Sequence, residues 1–357
     1  MRNVCLAFAM VASIGLAQDG PYKVQKIAKV GGEGGFDYVT ADAAGRRLYV
    51  ARSGNPGRVN VFNLDTLEPV GAVPNANRTH GATVSPKSGH GFVSSNPVIM
   101  FDTKTLATIK TIDVKGNPDG YLYDAFNDRV YILSHSKPHA TAIDAADGSI
   151  VGAIDDLGGA PEQAATDGKG TLYVDIEDAH SIAVVDARTL TVKTHYDLAG
   201  KGDGCAGLAL DVKNQILFAA CRNPQNMVIL SATDGKILTT LPLDGGSDGA
   251  VFNPNTMEAF SSHGNGTLTV IKENSPTSFA VEQTVKTMTG AKTLTLDSKT
   301  DRILLIAAEY GPPPAPAAPP PNAAPPGEGR GEGRGGRGRG GRAPMLPDSF
   351  SIVVVGK

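Results

Sequence analysis

Five short apolar runs recur along this chain, "RLYVAR", "RVYILS", "TLYVDI", "ILFAAC" and "RILLIA", beginning at Arg47, Arg129, Thr171, Ile216 and Arg302. Each follows a turn rich in Asp or Asn, and most are followed by a second run of the type "RVNVFNLD", "ATAIDAADG", "IAVVDARTL" or "MVILSATDG". The turn residues that close this later run, Asn63, Asp102, Asp144, Asp186 and Ser231, are spaced by 39, 42, 42 and 45 residues. Four strand-like runs per period of this length describe one blade of a β-propeller. Helical solenoids are excluded, because the runs are short, rich in Val and Ile, and bounded by Gly, Asp and Asn. The expectation is an all-β fold of seven blades, four antiparallel strands each, with no helix.

Counting blades predicts how the ring closes. Six full cassettes span about Gly35 to Met288, and a seventh starts at "GAKTLTLDSKTDRILLIAAEY" but yields only two strands before Pro and Gly take over. Its third strand is then "SFSIVVVGK" at the end of the chain, and its fourth is the unassigned "YKVQKIAKV" at Tyr22 to Val30. Both chain ends complete one sheet, which leaves no open edge between first and last blades. Residues 311–347, poly-Pro and then Gly/Arg, become a disordered insertion within blade seven, since such a composition cannot bury enough apolar surface to order itself.

The runs "LYVAR" and "VVDARTLTV" with the period of about 42 residues resemble the YVTN β-propeller repeat family, the YncE-like exported bacterial proteins. The resemblance covers nearly all of the chain outside the insertion. It implies the propeller fold and a secreted or surface location, and some members of that family are reported to bind DNA.

The N-terminus, "MRNVCLAFAMVASIGLAQDG", carries Arg2, an apolar run from Val4 to Leu16 and small residues at Gly15 and Ala17, the pattern of a signal peptide over residues 1–17. The apolar run is shorter than the ~20 residues of a membrane span. The mature chain, 18–357, is therefore expected in the periplasm, at the cell surface or outside the cell, as a monomer. Export leaves Cys205 and Cys221, which flank a hairpin and either bridge it or stay as two small buried thiols.

In a propeller the first strand of each blade lines the central channel. Counting back from the second strands places Asp37, His80, Asp119, Glu162, Ala206, Asp248 and Lys292 around one mouth. Charges converging there require pairing or a ligand. Three readings follow: a hard cation such as Ca²⁺, a cationic or hydroxylated small molecule, or self-neutralisation by His80 and Lys292, with the ammonium weighing against a metal. The other histidines, His90, His135, His139, His180, His195 and His263, share no spacing, and "HSKPH" at His135 and His139 reads as a solvated loop. Asp42, Asp124, Asp167, Asp211, Asn253 and Asp297 recur before the second strands and read as turn residues that bond their own backbone.

The insertion carries Arg330, Arg334, Arg337, Arg339 and Arg342 against Glu328 and Glu332, a charge of +3. With the total at −3, removing Arg2 and the tract leaves −7 on the mature body, which repels phosphate. A polyanion contact through these arginines is kept as a reading, below a flexible surface loop. No Walker loop, HExxH or CxxCH occurs, and the absence of Trp disfavours quinone-dependent propeller dehydrogenases. The expectation is a non-enzymatic binding or scaffold protein without a required cofactor, its partner a protein, polymer or small molecule. One alternative is a metal-dependent lactonase-like hydrolase that uses Asp37, Glu162 and Asp248. A second is nucleic-acid binding through the Arg/Gly loop.

Overall fold

The computed structural model describes residues 20–54, 56–312 and 343–357. Seven four-stranded sheets form the blades, spanning 35–73, 81–112, 118–154, 161–197, 207–242, 247–286, and, for blade seven, 294–307 with 351–356 and 23–29. The inner strands of neighbouring blades abut all the way round, from Gly35–Asp42 to Leu294–Asp297 and back to the first. The all-β, seven-bladed expectation stands. Among the described residues no helix is long and apolar enough to cross a membrane.

Second strands are apolar on both faces because each face meets a different blade. In Arg47–Ser53, Leu48 and Val50 pack against Leu304, Ile306 and Ile352 of blade seven, while Tyr49 packs with Val93, Ile99 and Phe101 of blade two. Outer strands such as Pro69–Val73 and Thr108–Ile112 are exposed except at their last residue, since nothing covers them. One period-2 pattern per blade therefore packs both neighbours and sets the ring.

Closure occurs as expected. Strand Lys23–Lys29 pairs antiparallel with Ser351–Gly356, in a register running from Lys23 opposite Gly356 to Lys29 opposite Ser351. Ser351–Gly356 in turn pairs with Arg302–Ala307, and that strand with Leu294–Asp297. The flanks of the expected insertion also pair, Gly311 N–H donating to Pro344 O at 2.9 Å and Leu346 N–H to Glu309 O at 2.8 Å. The signal segment 1–17 and the five arginines from Arg330 to Arg342 lie outside the described residues.

The recurring Asp and Asn residues do bond their own turns. Asp42 accepts from Gly45 N–H at 2.8 Å, Asp211 from Lys213 N–H at 2.9 Å and Asn253 from Asn255 N–H at 2.9 Å. Cys205 and Cys221 are joined as a disulfide, just outside the two inner strands of blade five.

Candidate functional site at the channel mouth

Asp37, Asp119, Glu162 and Asp248 each stand near the start of an inner strand, and in all four the ladder with the second strand breaks register beside them. The breaks fall between Phe36 and Val39, Pro118 and Tyr121, Pro161 and Ala164, and Ser247 and Ala250. A bulge re-aims the side chains at its position. Here it turns four carboxylates toward the channel instead of leaving them on the blade faces. His80 and Lys292 precede the inner strands of blades two and seven, their backbones held by His80 N–H to Ser94 O at 3.0 Å and by Ser262 Oγ to Lys292 O at 2.6 Å.

The side chains link blade to blade. His80 Nδ1 lies 2.8 Å from Asp37 Oδ2 and 3.2 Å from Asp119 Oδ1. His135 Nε2 lies 3.3 Å from Asp119 Oδ2 and 3.8 Å from Glu162 Oε1. Glu162 lies within the electrostatic reach of Glu177, and Glu177 is hydrogen-bonded to Arg222, Arg222 to Asp248, and Asp248 to Lys292. A band of ionisable groups thus runs from blade one to blade seven. It borders a cavity of about 870 Å³ whose lining includes Asp37, Arg78, His80, Arg222, Asp248 and Lys292.

Electrostatics divides the band. Burial pushes Glu162 up to about 9, and the hydrogen bond and charge of Glu177 add to it, so Glu162 is protonated at neutral pH. Asp119 is raised by burial too, against the lowering effect of His80 and His135. For His80 burial works downward, but the bond to Asp37 and the charges of Asp119 and Asp37 outweigh it and raise its pKa. Arg222 and Lys292 are pulled down by burial and raised, on balance, chiefly by Asp248. One arc is therefore carboxylate and imidazole, the other carboxylate and fixed cation.

Beneath the ring the channel narrows. Tyr38 donates to Glu162 Oε2 at 3.3 Å and meets Tyr121 edge-on at 5.5 Å between ring centroids, and the Tyr121 hydroxyl pairs with Thr40 Oγ1 at 2.6 Å. Gln163 crosses to Leu208 N–H and Ala250 N–H, both at 3.1 Å, and to Ala250 O at 3.0 Å. These side chains form a floor, and the space around them is only about 150 Å³.

Asp175, in strand Thr171–Ile176, is fully buried beside this band and neither oxygen has a hydrogen-bond partner. Burial, then the charges of Glu162 and Glu177, hold its pKa well above the ordinary Asp value. The native state keeps a proton that the unfolded chain releases above about pH 4, so stability falls as pH climbs from there toward the folded pKa. Asp175→Asn is expected to raise the melting temperature by a few degrees at pH 8, the gain vanishing near pH 4. Melting curves of both proteins across that range check it, and a constant offset at every pH would mean that Asp175 does not titrate there.

All six expected charged residues reach the mouth, but they do not form one cluster. Asp37 joins His80 and Asp119, while Glu162 and Asp248, the other two proposed lactonase-type ligands, are held by different partners. Ala206 brings no charge, and blade five is represented by Arg222 instead. The histidine expectation needs correction: His135 is a member of the ring, and His139 is buried, its Nδ1 accepting from Leu157 N–H at 3.0 Å. The stretch 135–137 is itself exposed, so the solvated-loop expectation holds there and fails only at His139. His135, Glu177 and Arg222 directly follow the runs "RVYILS", "TLYVDI" and "ILFAAC", a shared repeat position that groups them without showing that they turn inward.

No family model matches the sequence, and neither does any curated protein. Among solved structures, a chain in "Crystal Structure of Mitotic Checkpoint Complex" superposes with a TM-score of 0.68 over 85% of this chain and 96% of that one, at 12% identity. At that identity the likeness carries the fold alone, and with the seven closed sheets it establishes the chain as a seven-bladed β-propeller.

Proposed function

We propose that this chain is an exported, monomeric binding propeller that captures a small polar molecule at the channel mouth without transforming it. The observation that carries this is the band of ionisable side chains bordering a cavity of about 870 Å³ above a floor of Tyr38, Tyr121 and Gln163. Lys292 has three donors and uses one on Asp248; Asp37 and Asp248 keep free lone pairs. That mixture suits a ligand with both acceptors and donors, such as a zwitterion or a hydroxylated acid. The signal-like N-terminus and the Cys205–Cys221 bond support export. The runs "LYVAR" and "VVDARTLTV" support kinship with YVTN-repeat proteins.

A thermal-shift screen of amino acids, hydroxy acids and sugars tests the reading. A ligand that binds only the folded state adds about 2.7 kcal/mol of stability at a hundredfold excess over its Kd. The expected result is a rise in melting temperature with one such class, lost in Arg222→Ala, where Asp248 and Glu177 lose their shared partner. A screen with no response, or a rise that persists in the variant, would overturn it.

A further inference from the structure

We propose that Asp37, His80 and Asp119 form a binding site for a divalent first-row transition metal, with Zn²⁺ as the best-matched ion, on the acidic arc of the ring. This deepens the ligand-binding reading and rests on the same mouth. Among the described residues these three form a group of His, Cys, Asp or Glu whose ligand atoms all lie within 4.8 Å of one another.

The spacing suits metal coordination. With bonds of about 2.1 Å, ligand atoms on an octahedral or tetrahedral ion stand about 3.0–3.4 Å apart. His80 Nδ1 already stands 2.8 and 3.2 Å from the two carboxylate oxygens. Little movement would exchange a proton on that nitrogen for an ion.

Donor chemistry decides the type of ion. One imidazole nitrogen and two carboxylates favour Zn²⁺, Co²⁺ or Mn²⁺ over Ca²⁺ and Mg²⁺, which take oxygen ligands throughout. The Ca²⁺ expected as the alternative occupant is therefore the poorer match. Two carboxylates with a neutral imidazole balance the charge of the ion, and Lys292, the objection to a metal, has its ammonium on Asp248.

The three ligands are held from three blades. Asp37 O accepts from Thr293 Oγ1 at 2.7 Å, His80 O accepts from Tyr38 N–H at 2.9 Å, and Asp119 O accepts from Ser94 Oγ at 2.5 Å. His135 Nε2, 3.3 Å from Asp119 Oδ2, orients the carboxylate from behind, as outer partners of metal ligands do. Asp37 and His80 also line the large cavity, so the ion's remaining positions would face the polar ligand.

The test uses mature protein, residues 18–357, stripped with chelator and titrated calorimetrically with Zn²⁺, Co²⁺ and Ca²⁺. The expected result is one Zn²⁺ per chain with micromolar or tighter affinity, a visible absorption band on Co²⁺ binding, and no heat with Ca²⁺. His80→Ala and Asp119→Asn should each abolish the Co²⁺ band. Asp119→Asn is nearly isosteric and covers the case in which His80→Ala fails to fold. His135→Ala should weaken Zn²⁺ roughly tenfold. His180→Ala, which breaks a surface pair 2.7 Å from Asp203, should change nothing. Absence of one-to-one Zn²⁺ binding, or equal affinity in Asp119→Asn, would overturn the proposal. Repeating the small-molecule screen with and without Zn²⁺ separates the two readings: an Arg222-dependent ligand without Zn²⁺ binding removes only the metal, and Zn²⁺ binding without any ligand removes only the ligand reading.

Discussion

Deleting residues 20–30 is expected to lower the melting temperature by at least about 10 °C and to drive the protein toward dimers or aggregates. The strand Lys23–Lys29 covers the whole outer edge of Ser351–Gly356, and its removal leaves that row of backbone groups unpaired. The loss extends beyond the ladder. Tyr22, 2% exposed, donates its N–H to Gln283 Oε1 at 2.9 Å, accepts from Gln283 Nε2 at 2.7 Å, and sets its ring edge-on to Phe260 at 5.2 Å. Its hydroxyl donates to Glu258, which is fully buried and also holds Lys357 Nζ at 2.8 Å. Buried apolar area at about 25 cal/mol per Å², together with orphaned polar groups at about 1–3 kcal/mol each, puts the cost on the order of 5 kcal/mol. Thermal unfolding and size-exclusion chromatography check it. An unchanged midpoint in a monomeric variant would mean that blade seven stands on three strands.

Glu258 gives the same seam a pH dependence. Burial raises its pKa, but its bonds to Lys357, Thr256 and Tyr22 outweigh that and leave it lowered. A carboxyl depressed in the folded state contributes stability that is present above its unfolded pKa and lost as pH falls through the folded one. Acid therefore removes the stability that Glu258 draws from its bonds to Tyr22 and Lys357 at the chain ends.

The architecture was legible because a propeller repeats its physics. Every blade needs a second strand packed on both faces, so "RLYVAR" and "RILLIA" read alike although 255 residues separate their first arginines. The closing strand was legible by subtraction, since a seventh sheet with three strands leaves an edge that the N-terminal run fits. Asp37 and Asp248 could be placed because inner strands start at a constant distance from the second strands. The rest of the site does not follow from strand counting. His135, Glu177 and Arg222 enter the ring from the loop after the second strand, and whether such a side chain turns inward depends on the neighbouring blade. Asp175 sits inside the apolar run "TLYVDI", where nothing local marks that the charges of Glu162 and Glu177 reach it. Pairwise assembly was beyond the sequence as well. That His80 meets both Asp37 and Asp119, while Asp248 takes the two cations, is set by the angle between blades.

Arg52 shows the same limit on the stability side, and its removal is the second large effect. Within "RLYVARS" it reads as one more repeat residue, yet it is fully buried at the seam between blades one and seven. Its Nη2 donates to Gly32 O at 2.8 Å and Gly34 O at 3.0 Å, its Nη1 to Gly31 O at 3.3 Å, and its guanidinium lies 3.7 Å over the Phe350 ring. Burial, then the charge of Arg58, pulls its pKa down to about 10, so it remains a cation at neutral pH. One side chain thus satisfies the carbonyls of the connector that turns from the closing strand into blade one. Arg52→Ala leaves three carbonyls without their donor and a cavity against Phe350, at an expected cost of about 3–5 kcal/mol and a fall of roughly 10 °C. Arg52→Met fills most of the volume but supplies no donor, and Arg52→Lys supplies one point charge where a planar fork reaches three oxygens and an aromatic face. The order of melting temperatures is therefore wild type, Lys, Met, Ala. If Met matched the wild type, packing alone would hold the seam, and the hydrogen bonds to Gly31, Gly32 and Gly34 would add nothing beyond what water gives those carbonyls in the unfolded chain.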